Sequence, residues 1–354
     1  MATSKHVWEY SQENVISTRI RFARNFAGYP FPKTMTDAHA DDVAYLVEQE
    51  LTKIDDFERY DVKKLSKKET AELQEQYLIS PALIKNKQGV AFVSADRAVS
   101  IMVNEEDHLR QQYIVRGFDL YKAYERLSAI DDALASALDF AYDEKLGYLT
   151  ACPSNVGTGM RASVMMFLPA LAWTGEWKNL LPDLKADGLT VRGSFGEGSK
   201  AEGYIYQVSN ERTLGVSEGE ILKQVRRWTE TLCECELTAR QELAENLEIR
   251  DRCLRAYGVL THCAKLTLKE FHSGIADIKF GLALGIFKTR EQSGFDEFLD
   301  SMLPVAFKKS NGLENESEQV CDELRAETVG NVLPELIRIS KKSRSKKVGK
   351  TEKS

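Results

Sequence analysis

The chain has 354 residues, 43% hydrophobic and 29% charged, enough apolar material for a large core and, at roughly 150 residues per domain, for about two domains. No apolar run approaches the ~18 residues of a membrane span, and residues 1–10 lack the hydrophobic stretch of a secretory signal, so a cytoplasmic protein with no membrane partner is expected. The net charge of −6 conceals an asymmetry: residues 341–354 hold seven Lys/Arg against one Glu, a balance of +6 that leaves about −12 on the rest.

In chain order, the first pattern is Ser17-Thr18-Arg19-Ile20-Arg21, where an extended backbone puts Arg19 and Arg21 on one face. Residues 89–94 and 98–103 read as two strands across the turn Ala95-Asp96-Arg97, continuing into Asn104-Glu105-Glu106-Asp107-His108-Leu109-Arg110. If 103–110 is extended, Glu106, His108 and Arg110 project from one face, and Glu105, Asp107 and Leu109 from the other. Residues 118–146 carry an apolar stripe at helical spacing. The glycine-rich stretch 152–159 precedes the apolar segment 160–173, so Arg161 is expected where a turn feeds a helix whose N-terminus favours anions.

Strands are expected at 189–195 and 204–209. Gly193, Gly196, Gly198 and Gly203 give 192–203 the freedom of a closing lid that would carry Glu197. From Ser217 onward the pattern is helical, over 217–250, 252–264, 266–286, 294–308 and 317–337. Hairpins with interspersed helices indicate an α+β fold with a largely antiparallel sheet flanked by helices, followed by an all-helical C-terminal domain. The character changes between 245 and 260, which gives domains 1–250 and 251–339 and a basic disordered tail, 340–354. That tail suits an acidic partner or plain solubility, and nucleic acid is not the expected partner.

The six cysteines, Cys152, Cys233, Cys235, Cys253, Cys263 and Cys321, show no Cys-x-x-Cys spacing and no histidine cluster nearby. That argues against a structural zinc site and fits a reducing compartment. Arginines in short motifs beside carboxylates suit a reaction that joins a positive acceptor to a polyphosphate, since planar guanidinium groups grip phosphate oxygens bidentately. Spacing alone stops at an anion-binding site with carboxylates.

Four segments, 17–25 (STRIRFARN), 104–110 (NEEDHLR), 152–163 (CPSNVGTGMRAS) and 192–210 (RGSFGEGSKAEGYIYQVSN), resemble the guanidino kinases. Within that superfamily the chain is most similar to the bacterial protein arginine kinases of the McsB type. Creatine and arginine kinases place a helical domain of about one hundred residues before the first arginine motif. Here that motif begins at Ser17, an arrangement expected to leave the guanidinium pocket open to a side chain on another protein.

The resemblance implies an ATP-dependent kinase that phosphorylates arginine side chains in proteins. By motif position, Arg19, Arg21, Arg110, Arg161 and Arg192 match the nucleotide-phosphate arginines. Glu106 and Glu197 match the guanidinium-binding carboxylates, Glu106 accepting the proton and Glu197 orienting, and Cys152 matches the reactive cysteine beside the substrate. ATP and Mg²⁺ are implied, with no protein metal ligand. An activator of the McsA type, a Clp ATPase and a homodimer are the implied partners.

Near the C-terminus, Asp322 and Arg325 match an Arg-Asp-x-x-Arg pattern that binds phosphoarginine, with Cys321 replacing its first arginine. Met165 stands where small-substrate members often have His. The competing readings are a kinase for free arginine or another small guanidino compound, and a non-catalytic phosphoarginine-binding adaptor.

Overall fold

A computed structural model describes residues 13–193 and 202–340. They divide along the chain at Ala239/Arg240, with Pro304–Ala306 joining the first unit. The division falls inside the long helix Glu218–Leu243.

The first unit is organised by strands β1 (Val15–Arg24), β2 (Phe57–Asp61), β3 (Val90–Ser94), β4 (Val99–Val103), β5 (Leu109–Arg116), β8 (Met160–Phe167), β9 (Leu189–Gly193) and β10 (Ile205–Asn210), with a two-residue hairpin β6 (Tyr142–Asp143) and β7 (Gly147–Tyr148) between. The eight form one sheet in the order β2-β3-β4-β5-β1-β8-β10-β9. Every neighbouring pair in it is antiparallel. The α+β expectation therefore holds, and β1 lies in the middle, between two strands far from it in sequence.

Strand β1 shows why the two faces differ. Thr18, Ile20, Phe22 and Arg24 are buried, while Arg19 and Arg21 are half-buried on the opposite side. The helix Leu120–Ala137, stopped at its N-terminus by the Asp119 side chain accepting from Lys122 N, covers the Ile20 side, where the ring of Tyr124 meets Phe22 edge-on at 6.3 Å. The arginine side carries no such helix from this segment.

Several local expectations are overturned. The helical stripe read over 118–146 is a helix only to Ala137, with Tyr142–Asp143 already a strand, and the helical segment expected over 217–250 is divided between Glu218–Leu243 and Leu247–His262. Residues 160–167 form strand β8 instead of a helix: Met160, Ala162, Val164 and Met166 are fully buried at a period of two. The alternation was hidden because Met165, on the opposite face, is also apolar. Residues 104–108 are a tight bend, closed by Asn104 N to His108 O at 3.0 Å and Glu105 N to Asp107 O at 3.1 Å. Asn104 has φ +61°, a left-handed conformation that asparagine tolerates. The two-faced parity assigned to 103–110 therefore fails.

In the second unit, helices Leu247–His262, Leu268–Ala283, Gln292–Ser301 and Glu318–Leu336 accompany a short antiparallel pair, β11 (Phe287–Thr289) with β12 (Ile337–Ile339). Phe271, Ile275 and Ile278 place a buried stripe of Leu268–Ala283 at helical spacing, and Phe280 is buried on the opposite side of the helix. No helix among the described residues is long and apolar enough to cross a membrane.

Candidate active site

The sheet register gathers the five expected arginines. Arg21 lies directly opposite Gln112 of β5 and Arg161 of β8, and Ala23 opposite Arg110. Gln207 lies opposite both Met165 and Arg192. Opposed residues in an antiparallel sheet, and residues two apart on a strand, point to the same side. Arg19, Arg21, Arg110, Arg161 and Arg192 therefore share one face across four strands.

That face is electrostatically costly as it stands. Burial holds the Arg21 guanidinium well below its ordinary pKa, with further depression from Arg19, Arg110 and Arg161. Burial likewise brings Arg19 down to about 10, helped by Arg110 and Arg161, and lowers Arg161, with Arg192 next in effect. Guanidinium stays protonated near neutrality even so, and the depression records the cost of crowding like charges out of water. Among the described residues the Nε atoms of Arg21 and Arg161 are buried without a hydrogen-bond partner, and Nη2 of Arg161 reaches only Ser209 Oγ, at 3.1 Å. Cations left unsatisfied in this way call for a multivalent anion.

One arginine is held in advance. Nη1 of Arg110 donates to both carboxylate oxygens of Glu105 at 2.8 and 2.9 Å, and Ser80 also donates to Glu105. The bend turns Glu105 toward Arg110 and leaves Glu106 exposed.

Glu106 is therefore the carboxylate free to meet an acceptor. Partial burial raises its pKa, with Asp107 and Glu105 adding to the effect, while Arg110 and a hydrogen bond from the Cys152 side chain oppose it. Cys152 is half-buried at the start of a single 3₁₀ turn, Pro153–Asn155, with Sγ 3.1 Å from Ser154 Oγ. No longer helix begins there.

Sequence reasoning missed the residues that fix these groups. Oδ1 of Asp107 accepts from Asn25 Nδ2 at 2.7 Å and from Ala151 N at 2.6 Å, tying the Glu106 bend to the Cys152 loop. Asn25 Oδ1 accepts from His108 N at 2.8 Å. His108 itself is buried against Phe26, its Nδ1 accepting from Phe26 N and its Nε2 lying 2.8 Å from Pro30 O. It serves the scaffold, and burial lowers its pKa.

On the opposite side of the sheet Arg24, 1% exposed, donates from Nε and Nη2 to Asp131 at 3.1 and 2.7 Å, and from Nη1 to Thr158 O at 3.0 Å. Its guanidinium stacks 3.6 Å over Tyr148. This braces the base of the loop whose tip is Cys152. Asp131→Ala would take from a buried guanidinium its hydrogen-bonded carboxylate and leave it Glu218 at 4.0 Å, at a cost approaching the about 3–5 kcal/mol of a broken buried pair. Urea unfolding should show that loss, and an unchanged midpoint would mean the brace contributes nothing.

Glu197, Gly196 and Gly198 lie outside the described residues; of the expected lid 192–203, Arg192 and Gly193 belong to strand β9, and Gly203 has φ +71°. Asp322 and Arg325 belong to the second unit. Both are buried, and Arg325 Nη1 donates to Asp322 Oδ1 at 2.7 Å and to Leu266 O at 2.8 Å. Lys265 Nζ lies 3.7 Å from Asp322, and Cys321 is fully buried.

A carboxylate beside an array of guanidinium groups, on a sheet that keeps both in place, is the equipment of a phosphotransferase whose acceptor is a cation. Comparison with known proteins gives that class its family. Residues 41–239 match the model of the ATP:guanido phosphotransferase C-terminal catalytic domain, and residues 246–346 that of the protein-arginine kinase McsB C-terminal domain.

The protein-arginine kinase of Caldanaerobacter subterraneus is 40% identical over 334 residues, 92% of this chain and 98% of the relative. That of Clostridium acetobutylicum is 41% identical, over 80% and 86%. Among solved structures, lombricine kinase superposes with TM-score 0.58 at 25% identity, over 64% of this chain and 66% of its own. The duplicated taurocyamine kinase of Schistosoma mansoni gives TM-score 0.60 at 24% identity, over 72% and 39%, a likeness of fold.

The chain belongs to the guanidino phosphotransferases and, among them, to the protein-arginine kinase family.

Proposed function

We propose that this protein is an ATP-dependent kinase that transfers the γ-phosphoryl group to the guanidinium of arginine side chains in proteins. The observation that carries this reading is the row of guanidinium groups with buried, unsatisfied Nε atoms on Arg21 and Arg161, at one end of which Glu106 stands beside Cys152.

In the proposed mechanism Arg21, Arg110 and Arg161 hold the phosphates, with Arg19 and Arg192 extending the cradle on either side. A loose phosphoryl-transfer transition state needs alignment and charge neutralisation more than covalent help, and fixed guanidinium groups supply both. No group of three His, Cys, Asp or Glu among the described residues could hold a metal ion, and the carboxylate nearest the arginines is already taken by Arg110. Mg²⁺ is therefore assigned to the nucleotide substrate, liganded by phosphate oxygens and water.

Glu106 orients the acceptor nitrogen and takes its proton as the N–P bond forms, because a guanidinium in its ground state is too weak an acid to surrender it earlier. Cys152 donates a hydrogen bond to Glu106 beside the acceptor, and Glu197 is assigned the second orienting carboxylate. The proposal also includes a cytoplasmic location, a homodimer, and work alongside a McsA-type activator and a Clp ATPase. These rest on the family resemblance alone.

Glu106 must be ionised to accept a proton, so kcat/KM should fall as pH drops through its pKa, which burial and the neighbouring Asp107 and Glu105 raise. Residual activity of Glu106→Gln should lack that limb, and a limb of equal position in both proteins would assign it elsewhere. Incubation with MgATP and either a casein-like protein or free arginine, followed by acid-labile phosphate, tests the function. Phosphate on the protein is expected. Phosphate on free arginine alone would give the small-molecule kinase, and phosphate on neither, with a McsA-type activator present, the adaptor.

A further inference from the structure

A cavity of about 520 Å³ lies away from the arginine face, between the β6–β7 hairpin and the turn 213–217. Three of its lining residues, Tyr142, Leu146 and Leu214, are large hydrophobic side chains left 60%, 46% and 48% exposed. Apolar groups gathered at one open rim are the usual mark of a surface meant to be covered. Its charged lining is Glu144, Glu218 and Glu220 against the single Lys145, so the cavity favours a cation. Glu218 is engaged by Tyr124 at 2.6 Å and lies 4.0 Å from Arg24, and Glu220 is engaged by Ser217. Glu144 is exposed and, among the described residues, has no hydrogen bond or ion pair, so its carboxylate is available.

The cavity also shares a wall with the catalytic loop. Gly157 and Thr158 line it, Tyr148 N bonds Gly157 O at 2.8 Å, and Cys152 sits at the tip of the loop that this bridge closes. Gly157 has φ +117°, and a Cβ there would fall 2.2 Å from Thr213 O, so the turn 213–217 is pressed directly onto the loop base.

We infer that this cavity is a docking subsite for the substrate polypeptide, taking an aliphatic or aromatic side chain together with a lysine or arginine within a few residues of the target arginine. The inference rests on the protein-kinase reading above, since a target presented on a chain brings flanking residues with it, and the loop that carries Cys152 has its base, Gly157 and Thr158, in the cavity wall. It assigns the protein a preference for basic, apolar surroundings that the arginine face, itself cationic, could not provide.

Two fluorescein-labelled peptides with one phosphorylatable arginine test it, one flanked by Leu and Lys, the other by Ser and Glu. Transfer is followed as acid-labile phosphate, and binding without nucleotide as anisotropy. The wild-type protein should show a KM and a Kd at least about tenfold lower for the basic peptide, equivalent to about 1.4 kcal/mol. Glu144→Lys with Leu214→Ser should bring the two peptides within about twofold, with kcat and the KM for ATP unchanged. Glu144→Gln, at an exposed unpaired position, should lose about threefold and keeps the test valid if the double variant misfolds.

Equal affinity of the wild-type protein for both peptides, or an equal change for both in the variants, would overturn the subsite. Transfer to both peptides without discrimination would do so while leaving the kinase reading intact. Discriminating anisotropy with transfer to neither would uphold the subsite and overturn the kinase reading.

Discussion

Glu106→Gln should lower phosphoryl transfer to arginine by about 10²–10⁴-fold, the range for loss of a positioned acid–base group, while the Kd for ATP stays within about threefold. The substitution keeps the shape of the side chain and removes its charge and its capacity to take a proton. Nucleotide binding is spared because the arginine face is fixed elsewhere: Glu105 secures Arg110, and the strand register places Arg21 against Arg161. Asp107 continues to tie the bend to Ala151 N, so the variant tests chemistry with the loop in place. Single-turnover transfer and an ATP titration read the two quantities separately. Collapse of ATP affinity with normal turnover at saturation would reverse the roles assigned to Glu106 and the arginines.

The second large effect is expected at Arg21, and its sign is unusual. Arg21→Met should raise the thermal stability of the ligand-free protein while abolishing the stabilisation that ATP confers. In the native face Arg21 is surrounded by Arg19, Arg110 and Arg161, and its Nε has no partner. Replacing a poorly compensated buried ion by an apolar side chain of similar volume is commonly neutral or stabilising by about 1–4 kcal/mol.

ATP at a hundred times its Kd should stabilise the wild-type protein by about 2.7 kcal/mol. The variant should lose most of that, because one charge-assisted contact is worth about 1.5–3 kcal/mol. Melting curves with and without ATP decide the matter. A variant that melts earlier than wild type yet keeps the full ATP shift would show that Arg21 is structural and that phosphate binds elsewhere.

The legibility of this chain depended on which interactions were local. Period-two spacing alone put Arg19 and Arg21 on one face, and the helices beyond Ser217 announced themselves by their apolar stripes. The expected strand at 189–195 is realised as Leu189–Gly193 and that at 204–209 as Ile205–Asn210. The bend at 104–108 was missed because parity arguments presuppose an extended backbone, and the left-handed Asn104 leaves no periodic trace.

The braces were invisible for a different reason. Asn25 with Asp107, and Arg24 with Asp131, are ordinary polar residues 82 and 107 positions apart. The pairing of β1 with β5 brings Asn25 to Asp107, and the helix Leu120–Ala137 packed on β1 brings Asp131 to Arg24. Strand β8 was hidden by apolar residues on both of its faces, which is the usual signature of a strand in mid-sheet.

The most direct measurement is a crystal structure with MgADP, nitrate as a planar substitute for the transferring phosphoryl group, and an arginine-containing peptide. The account predicts phosphate oxygens held by Arg21, Arg110 and Arg161, nitrate in line between the β-phosphate and the peptide guanidinium, and Glu106 hydrogen-bonded to that guanidinium. Nucleotide bound away from the arginine face, or a peptide arginine that cannot reach Glu106, would contradict it.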